Sequence, residues 1–395
     1  MKMLKRVLCV FLIMMFAFVF EASVFAQQLR LGAERFEEYL SRLEGKKVGL
    51  VANQTSVVRN EKGELVHLLD TLLSLNVNVC CVFSPEHGFR GNVEAGASVK
   101  SGRDSKTGVP IISLYGKNKK PSKEQIQVCD ILIFDLQDVG CRFYTYISTL
   151  HYVMEACSEN ERPLIVLDRP NPNDYVDGPV LEDRFKSFVG MHNVPVVYGL
   201  TIGEYAGMIN GEGWLIGGGK CDLSIVKLEN WFHNMEETYQ LPVAPSPNLP
   251  NAHSIELYPS LCLFEGTPVS VGRGTDTPFQ IIGYPTYCKK DFSFIPKSIK
   301  GVSENPPYKG QKCYGLKDMT PAKKRLDLSY IIEMYSCYKN KDAFFTSFFD
   351  KLAGTEMLKK QIASGMNEEQ IRESWKVDLE KYNKIRNKYT IYQRK

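Results

Sequence analysis

The chain has 395 residues, 44% hydrophobic and 24% charged, with a formal net charge of +4. That composition excludes disordered, collagen-like and coiled-coil proteins, and so small a charge excludes a chain organised around a basic nucleic-acid face. At roughly 100–200 residues per domain, the length predicts two domains.

The amino terminus reads as a targeting segment. Lys2, Lys5 and Arg6 precede an almost wholly apolar run, Val7 to Phe20, and Val24-Phe25-Ala26 offers compact residues to a peptidase before Gln27. This is the pattern of a secretory signal peptide; the run is too short for a membrane span, which needs about 20 residues. Residues 1–26 are therefore expected to be removed. The mature protein would be exported, periplasmic or secreted, without stable membrane insertion. Ten cysteines remain after Cys9. An even set in an exported chain suggests disulfides. A chain this long can fold on its core alone, however, and Cys80, Cys81 and Cys129 lie inside apolar runs. Mostly buried free thiols are expected. With no CxxC pair and no histidine cluster beside the cysteines, neither a structural zinc nor another metal or cofactor is expected.

Short β-branched runs bounded by turn residues predict buried strands at Lys47–Ala52, Val77–Phe83, Pro110–Leu114, Ile131–Phe134 and Leu164–Leu167. Helical spacing appears at Glu64–Leu75, through Leu65, Leu68, Leu69 and Leu72, and again at Tyr144–Ala156. Strands alternating with helices predict an α/β protein with a Rossmann-like parallel sheet. No G-x-G-x-x-G follows the first strand, so dinucleotide binding is not indicated. At 241–250 the string LPVAPSPNLP suits a linker or extended crossing segment. Beyond it, short strands are expected at Pro268–Val271 and Phe279–Ile282, followed by helices. In the last helix Asn367 serves as cap with Gln370 at the third position, and Ile371, Trp375, Leu379, Tyr382 and Ile385 line one face. The division is signal peptide 1–26, Rossmann-like catalytic domain 27–245 and a smaller α+β domain 246–395.

Polar clusters follow four of the strands: Asn53-Gln54-Thr55-Ser56, Ser84 to Gly91, Asp135 to Tyr144, and Asp168 to Asn173. In an open parallel sheet, ligands bind outside the carboxyl ends of the strands. Turns favour Asp, Asn, Gly and Pro in any case. That explains the prolines and glycines but not Glu86, His87, Arg90, Gln137, Arg142 and Arg169 together. There is no G-x-S-x-G elbow, Walker loop or H-E-x-x-H helix. What remains is carboxylates among amides and aromatics, a set suited to glycoside chemistry, in which one carboxyl group protonates the leaving oxygen and another assists at the anomeric carbon. Glu86 is the acid candidate, with His87 beside it and Asp135 or Asp138 as the second group. Arg142 and Arg90 would hold an anionic substrate group. Asn53, Gln54, Gln137, Tyr144, Asp168 and Arg169 would complete the sugar contacts.

VGLVANQTS (48–56), SPEHGFRG (84–91), FDLQDVGCRFYTY (134–146), LDRPNPN (167–173), DGPVLE (177–182), YGLTIGE (198–204), SPNLPN (246–251) and LFEGTPVSVGRGTDTPFQ (263–280) occur in order across nearly the whole mature chain. Together they resemble the exo-β-N-acetylmuramidase family of peptidoglycan enzymes, formerly a domain-of-unknown-function family. The resemblance implies an active cleft between a Rossmann-like domain and a smaller carboxyl-terminal one. It also implies release of N-acetylmuramic acid from non-reducing ends of a peptidoglycan-derived oligosaccharide or muropeptide. It makes Glu86 the catalytic residue and brings Glu265, Arg273 and Asp276 to the same cleft. Asn173-Asp174-Tyr175, in a turn that is glycine-rich in relatives, and Asp276 depart from the family pattern. The rival readings are an inactive periplasmic muropeptide- or sugar-binding protein, and an amidase or esterase. The latter would need a zinc set or an activated serine.

Overall fold

The computed structural model describes residues 28–86, 88–89, 101–234 and 238–394. The expected signal segment 1–26, His87 and Arg90 lie outside the described residues.

Seven strands form the main sheet: β1 (Val48–Ala52), β2 (Val79–Ser84), β3 (Gly102–Arg103), β4 (Pro110–Ser113), β5 (Ile131–Asp135), β6 (Leu164–Leu167) and β7 (Leu223–Val226). Their spatial order is β7-β6-β5-β1-β2-β4-β3, parallel throughout except for β3 against β4. Strands covered on both faces must be apolar at every position rather than alternating. VGLVA of β1 and LIVL of β6 are buried throughout. Chain order reverses at β1, whose neighbours are β2 on one side and β5 on the other. The switch point of the sheet therefore lies between the carboxyl ends of β1 and β5, where a crevice is expected.

Helix α1 (Leu68–Ser74) packs on one face of the sheet; α3 (Tyr146–Glu159) and α4 (Ile202–Gly211) pack on the other, α2 (Lys123–Gln127) lying against α3. A capping box from Thr201 and Glu204 starts α4. Helix α5 (Ala252–Leu261) leads into a second region with a three-stranded antiparallel sheet of Ile282–Tyr284, Cys313–Leu316 and Ser293–Phe294. Among the described residues, no helix is long and apolar enough to cross a membrane.

Three sequence expectations change in detail. Leu65–His67 is a strand paired with Val57–Arg59, so the leucine run is helical only from Leu68. His67 Nδ1 accepts from the Leu69 N–H and caps that helix, a job normally given to Ser, Thr, Asp or Asn. The expected strand Pro268–Val271 reduces to one bridge, Ser270 to Gly283. The last helix is capped by Asn367 and buries the expected face, but it breaks at Ser374-Trp375 into Glu368–Glu373 and Lys376–Arg386.

Cys288 and Cys337 form a disulfide, and eight described cysteines are free. Three of the free thiols meet at the amino edge of the sheet. A register shift in β2 opposite Val48 and Gly49 leaves Cys80 unpaired between Val79 and Cys81. Cys80 and Cys81 Sγ then lie 3.5 and 3.6 Å from Cys129 Sγ. Gly49 makes the room, because a Cβ there would approach Cys129 Sγ to 2.7 Å.

The carboxyl-terminal segment returns to the first half of the chain. Tyr382 Oη donates to Tyr198 O at 2.7 Å, Arg386 Nε to Gly199 O at 2.6 Å, and Tyr392 Oη to Asp168 Oδ2 at 2.5 Å.

Candidate active site

A cavity of about 370 Å³ opens at the carboxyl edge of β2, β4 and β5, within the range of small-ligand sites. One wall carries Glu86, Tyr115, Tyr144, Thr145 and Tyr146; the other carries Glu265, Arg273, Phe279 and Asn305. Ser246 and Asn248, from the proline-rich segment, lie between them. That segment is an anchored crossing rather than a loose linker. Pro245 O accepts from Tyr144 Oη at 2.8 Å and from Gln54 Nε2 at 3.1 Å. A larger cavity of about 540 Å³ lies beyond Asn171 and Asn173, lined by Trp231, Tyr239 and Lys324 among others. The smaller one gathers the acid candidate with residues from both halves of the chain, so it is the candidate active site.

Glu86 follows β2 and is half-buried. Thr145 Oγ1 donates to its Oε2 at 2.9 Å, and the Tyr115 phenol shares a hydrogen bond with it. Burial, then the neighbouring Glu86 carboxylate, push the Tyr115 pKa upward. Tyr115 therefore stays protonated and available as a donor. Tyr144 and Tyr146 meet edge to face at 4.8 Å, an arrangement favoured by the ring quadrupoles. Asn53 Nδ2 donates to Tyr146 Oη at 2.6 Å, and Asn53 Oδ1 accepts from Thr55. Asn53 thus holds a cavity-lining tyrosine and is not itself among the lining residues.

Several expected substrate contacts lie beneath the edge instead. Arg142 is fully buried and donates to Pro179 O, Val194 O and Leu352 O at 3.0, 2.7 and 2.8 Å. Burial pushes its pKa down to about 9. Its charge is consumed in tying three backbone carbonyls, one of them from the carboxyl-terminal region, so it is not the anion clamp that its sequence position suggests. Asp135 is fully buried in a two-point ion pair, accepting from Arg169 Nε at 2.6 Å and Nη2 at 2.9 Å. Neither is free to meet a sugar. Gln137 bridges Asp138 O and Pro170 O. Asp168 accepts from Gly203 N–H, Thr201 Oγ1 and Tyr392 Oη; burial, only partly offset by those donors, raises its pKa to about 6. Gln54 binds the proline segment. Of the residues expected from sequence, the structure brings Glu86, Tyr144, Glu265 and Arg273 into the cavity. It adds Tyr115, Thr145, Tyr146, Ser246 and Asn248. Tyr115 ends the string IISLY immediately after β4, and its position at a strand end was the available signal.

Asp138 is buried, and its Oδ2 accepts from Gly140 N–H at 2.7 Å and from Tyr198 Oη. Its Oδ1 is buried without a partner. Burial pushes its pKa up to about 7, against donors that pull the other way. An unfolded aspartate titrates near about 3.9. Between these values the folded state holds a proton that the unfolded chain has released. Stability must therefore fall as pH rises toward 7, and the penalty is complete above it. Asp138→Asn keeps an acceptor for Gly140 and Tyr198 but cannot ionise. Its denaturation midpoint, followed from pH 5 to 8, should fall less steeply than that of the wild type, and at pH 8 it should be the more stable protein. Parallel curves for the two proteins would refute this.

Two family sequence patterns match the chain. The one described as "Exo-beta-N-acetylmuramidase NamZ, N-terminal" covers residues 48–253, and its C-terminal counterpart covers 256–392. The chain belongs to the exo-β-N-acetylmuramidase NamZ family. Peptidoglycan beta-N-acetylmuramidase NamZ of Bacillus subtilis (strain 168) is 38% identical over 375 residues, 90% of this chain and 89% of that protein. Two solved structures of DUF1343 family proteins from Bacteroides fragilis NCTC 9343 are also similar. One has a TM-score of 0.85 at 44% identity and covers 93% of this chain and all of that one. The other has a TM-score of 0.76 at 31% identity, covering 92% and 99%. NamZ membership places the chain among glycoside hydrolases, and the cavity between Glu86 and Arg273 draws its walls from both NamZ regions.

Proposed function

We propose that the protein is an exported exo-β-N-acetylmuramidase that releases N-acetylmuramic acid from non-reducing ends of peptidoglycan fragments, with Glu86 as general acid. One observation carries the reading: Glu86 lines a cavity built from both halves of the chain, with the Thr145 and Tyr115 hydroxyl groups directed at its carboxyl group. Glu265 is paired with Arg273 at 2.7 Å, whereas Glu86 is oriented by two hydroxyl groups and can deliver a proton to a glycosidic oxygen. Asp135 and Asp138 act from below, holding the strand ends. Residues 27–245 supply the acid and the tyrosines, residues 246–395 supply the opposite wall, and the apolar start of the chain supports export. The test is incubation of purified mature protein with a short glycan ending in N-acetylmuramic acid. Free N-acetylmuramic acid is the expected product, one residue per cut. An intact glycan across a pH series would overturn the activity, and binding without cleavage would leave a sugar-binding protein.

A further inference from the structure

We propose that Arg273 is the specificity residue of this site, recognising the lactyl carboxylate that distinguishes N-acetylmuramic acid from N-acetylglucosamine. This rests on the muramidase reading and deepens it. Arg273 is the only cation among the described residues that line the cavity. Its side chain is 20% exposed, so it is accessible yet confined.

Three contacts fix how it is presented. Arg273 Nε donates to Glu265 Oε1 at 2.7 Å and Nη2 lies 2.7 Å from the same oxygen, so one edge of the guanidinium is occupied. The Phe279 ring lies 5.0 Å from the guanidinium carbon and supports its flat face. Cys262 Sγ lies 3.6 Å from the other oxygen of Glu265 and closes off the partner carboxylate. What remains is the end of the fork, with Nη1 and the second Nη2 hydrogen. No described residue hydrogen-bonds Nη1. A planar two-donor end held rigid is complementary to a carboxylate, which it binds through two parallel bonds. A neutral hydroxyl at that place uses one donor and no charge. Two carboxyl groups line the same cavity, so an anionic sugar is admitted only where a cation offsets them. Arg142, the arginine whose sequence position suggested this role, is spent on three backbone carbonyls.

The test compares equilibrium binding of free N-acetylmuramic acid, its lactyl methylamide and N-acetylglucosamine to wild type, Arg273→Met and Arg273→Lys. Turnover of an aryl β-N-acetylmuraminide and its lactyl amide is measured in parallel. Wild type should prefer the acid over both neutral sugars. Arg273→Met should lose about 10- to 100-fold on the acid, the scale of a lost charge-assisted pair, and far less on the amide. Arg273→Lys, which keeps the charge but not the fork, should fall between. Equal losses on acid and amide, or a wild type indifferent to the lactyl charge, would overturn the assignment. Should Arg273→Met fail to fold, the wild-type preference and the lysine variant still decide. A preference for the acid without turnover would keep the assignment and overturn the hydrolase reading; turnover without that preference would do the reverse.

Discussion

Glu86→Gln should reduce release of N-acetylmuramic acid by about 10²–10⁴-fold, the contribution of a positioned general acid, while the sugar continues to bind. The amide has nearly the shape of the acid and can still accept from Thr145 Oγ1, so the cavity should keep its form. The loss should fall on kcat rather than KM, because the proton moves only as the bond breaks. Leaving-group chemistry sharpens the test. A sugar hydroxyl is a poor leaving group and needs the proton, whereas an acidic phenol leaves readily without it. The variant should therefore lose much more activity on a natural glycan than on an aryl glycoside with an acidic phenol. Equal losses on both substrates would remove Glu86 from the proton-donor role, and unchanged activity would move the acid elsewhere.

Arg169→Met should destabilise the fold by about 3–5 kcal/mol, the usual result of stranding one member of a buried ion pair. The Asp135 carboxylate, fully buried, would lose both guanidinium bonds. Val57 O, which also accepts from Arg169 Nη2 at 3.1 Å, would lose its bond too. The double variant Arg169→Met with Asp135→Leu removes both charges and should recover much of the loss, since a buried pair and well-packed apolar residues are often close in energy. Chemical denaturation of the three proteins measures this directly. A double variant no more stable than the single one would mean that Asp135 does more than balance Arg169. Activity of the double variant, per folded molecule, separates support from chemistry. It should survive at a reduced level if Asp135 only holds β5 to β6.

The strands were legible because parallel strands covered on both faces are unbroken apolar runs, and β1, β2, β5 and β6 are such runs. β7 was missed because LSIV, less hydrophobic and partly exposed, lacks that continuity. The edge that carries the site was legible for a related reason, since polar strings can follow an apolar strand only where it leaves the core. What the strings did not disclose is depth. Asp135, Gln137 and Arg142 belong to the same string as Tyr144 and Thr145, and Asp168 and Arg169 to a like one, yet all five are buried and none lines the cavity. Whether a charged residue meets ligand or backbone carbonyls depends on segments far away in the chain. Leu352 O and Val194 O claimed Arg142, and Tyr392 claimed Asp168. Glu265 and Arg273 came from resemblance alone, and the fold brings them to the cavity that Glu86 lines.

The bond between Tyr392 and Asp168 spans 224 residues and reaches almost to the end of the chain. A polypeptide that emerges from synthesis or secretion in order, amino end first, forms β1 to β7 long before Tyr392 appears. Until then Asp168 lacks one of its donors, and Tyr198 O and Gly199 O lack Tyr382 and Arg386. The contacts around Asp168, Tyr198 and Gly199 therefore cannot be completed until the carboxyl-terminal segment has docked. Removal of the residues from Tyr382 onward would keep every cavity-lining side chain and still leave these three acceptors without their donors.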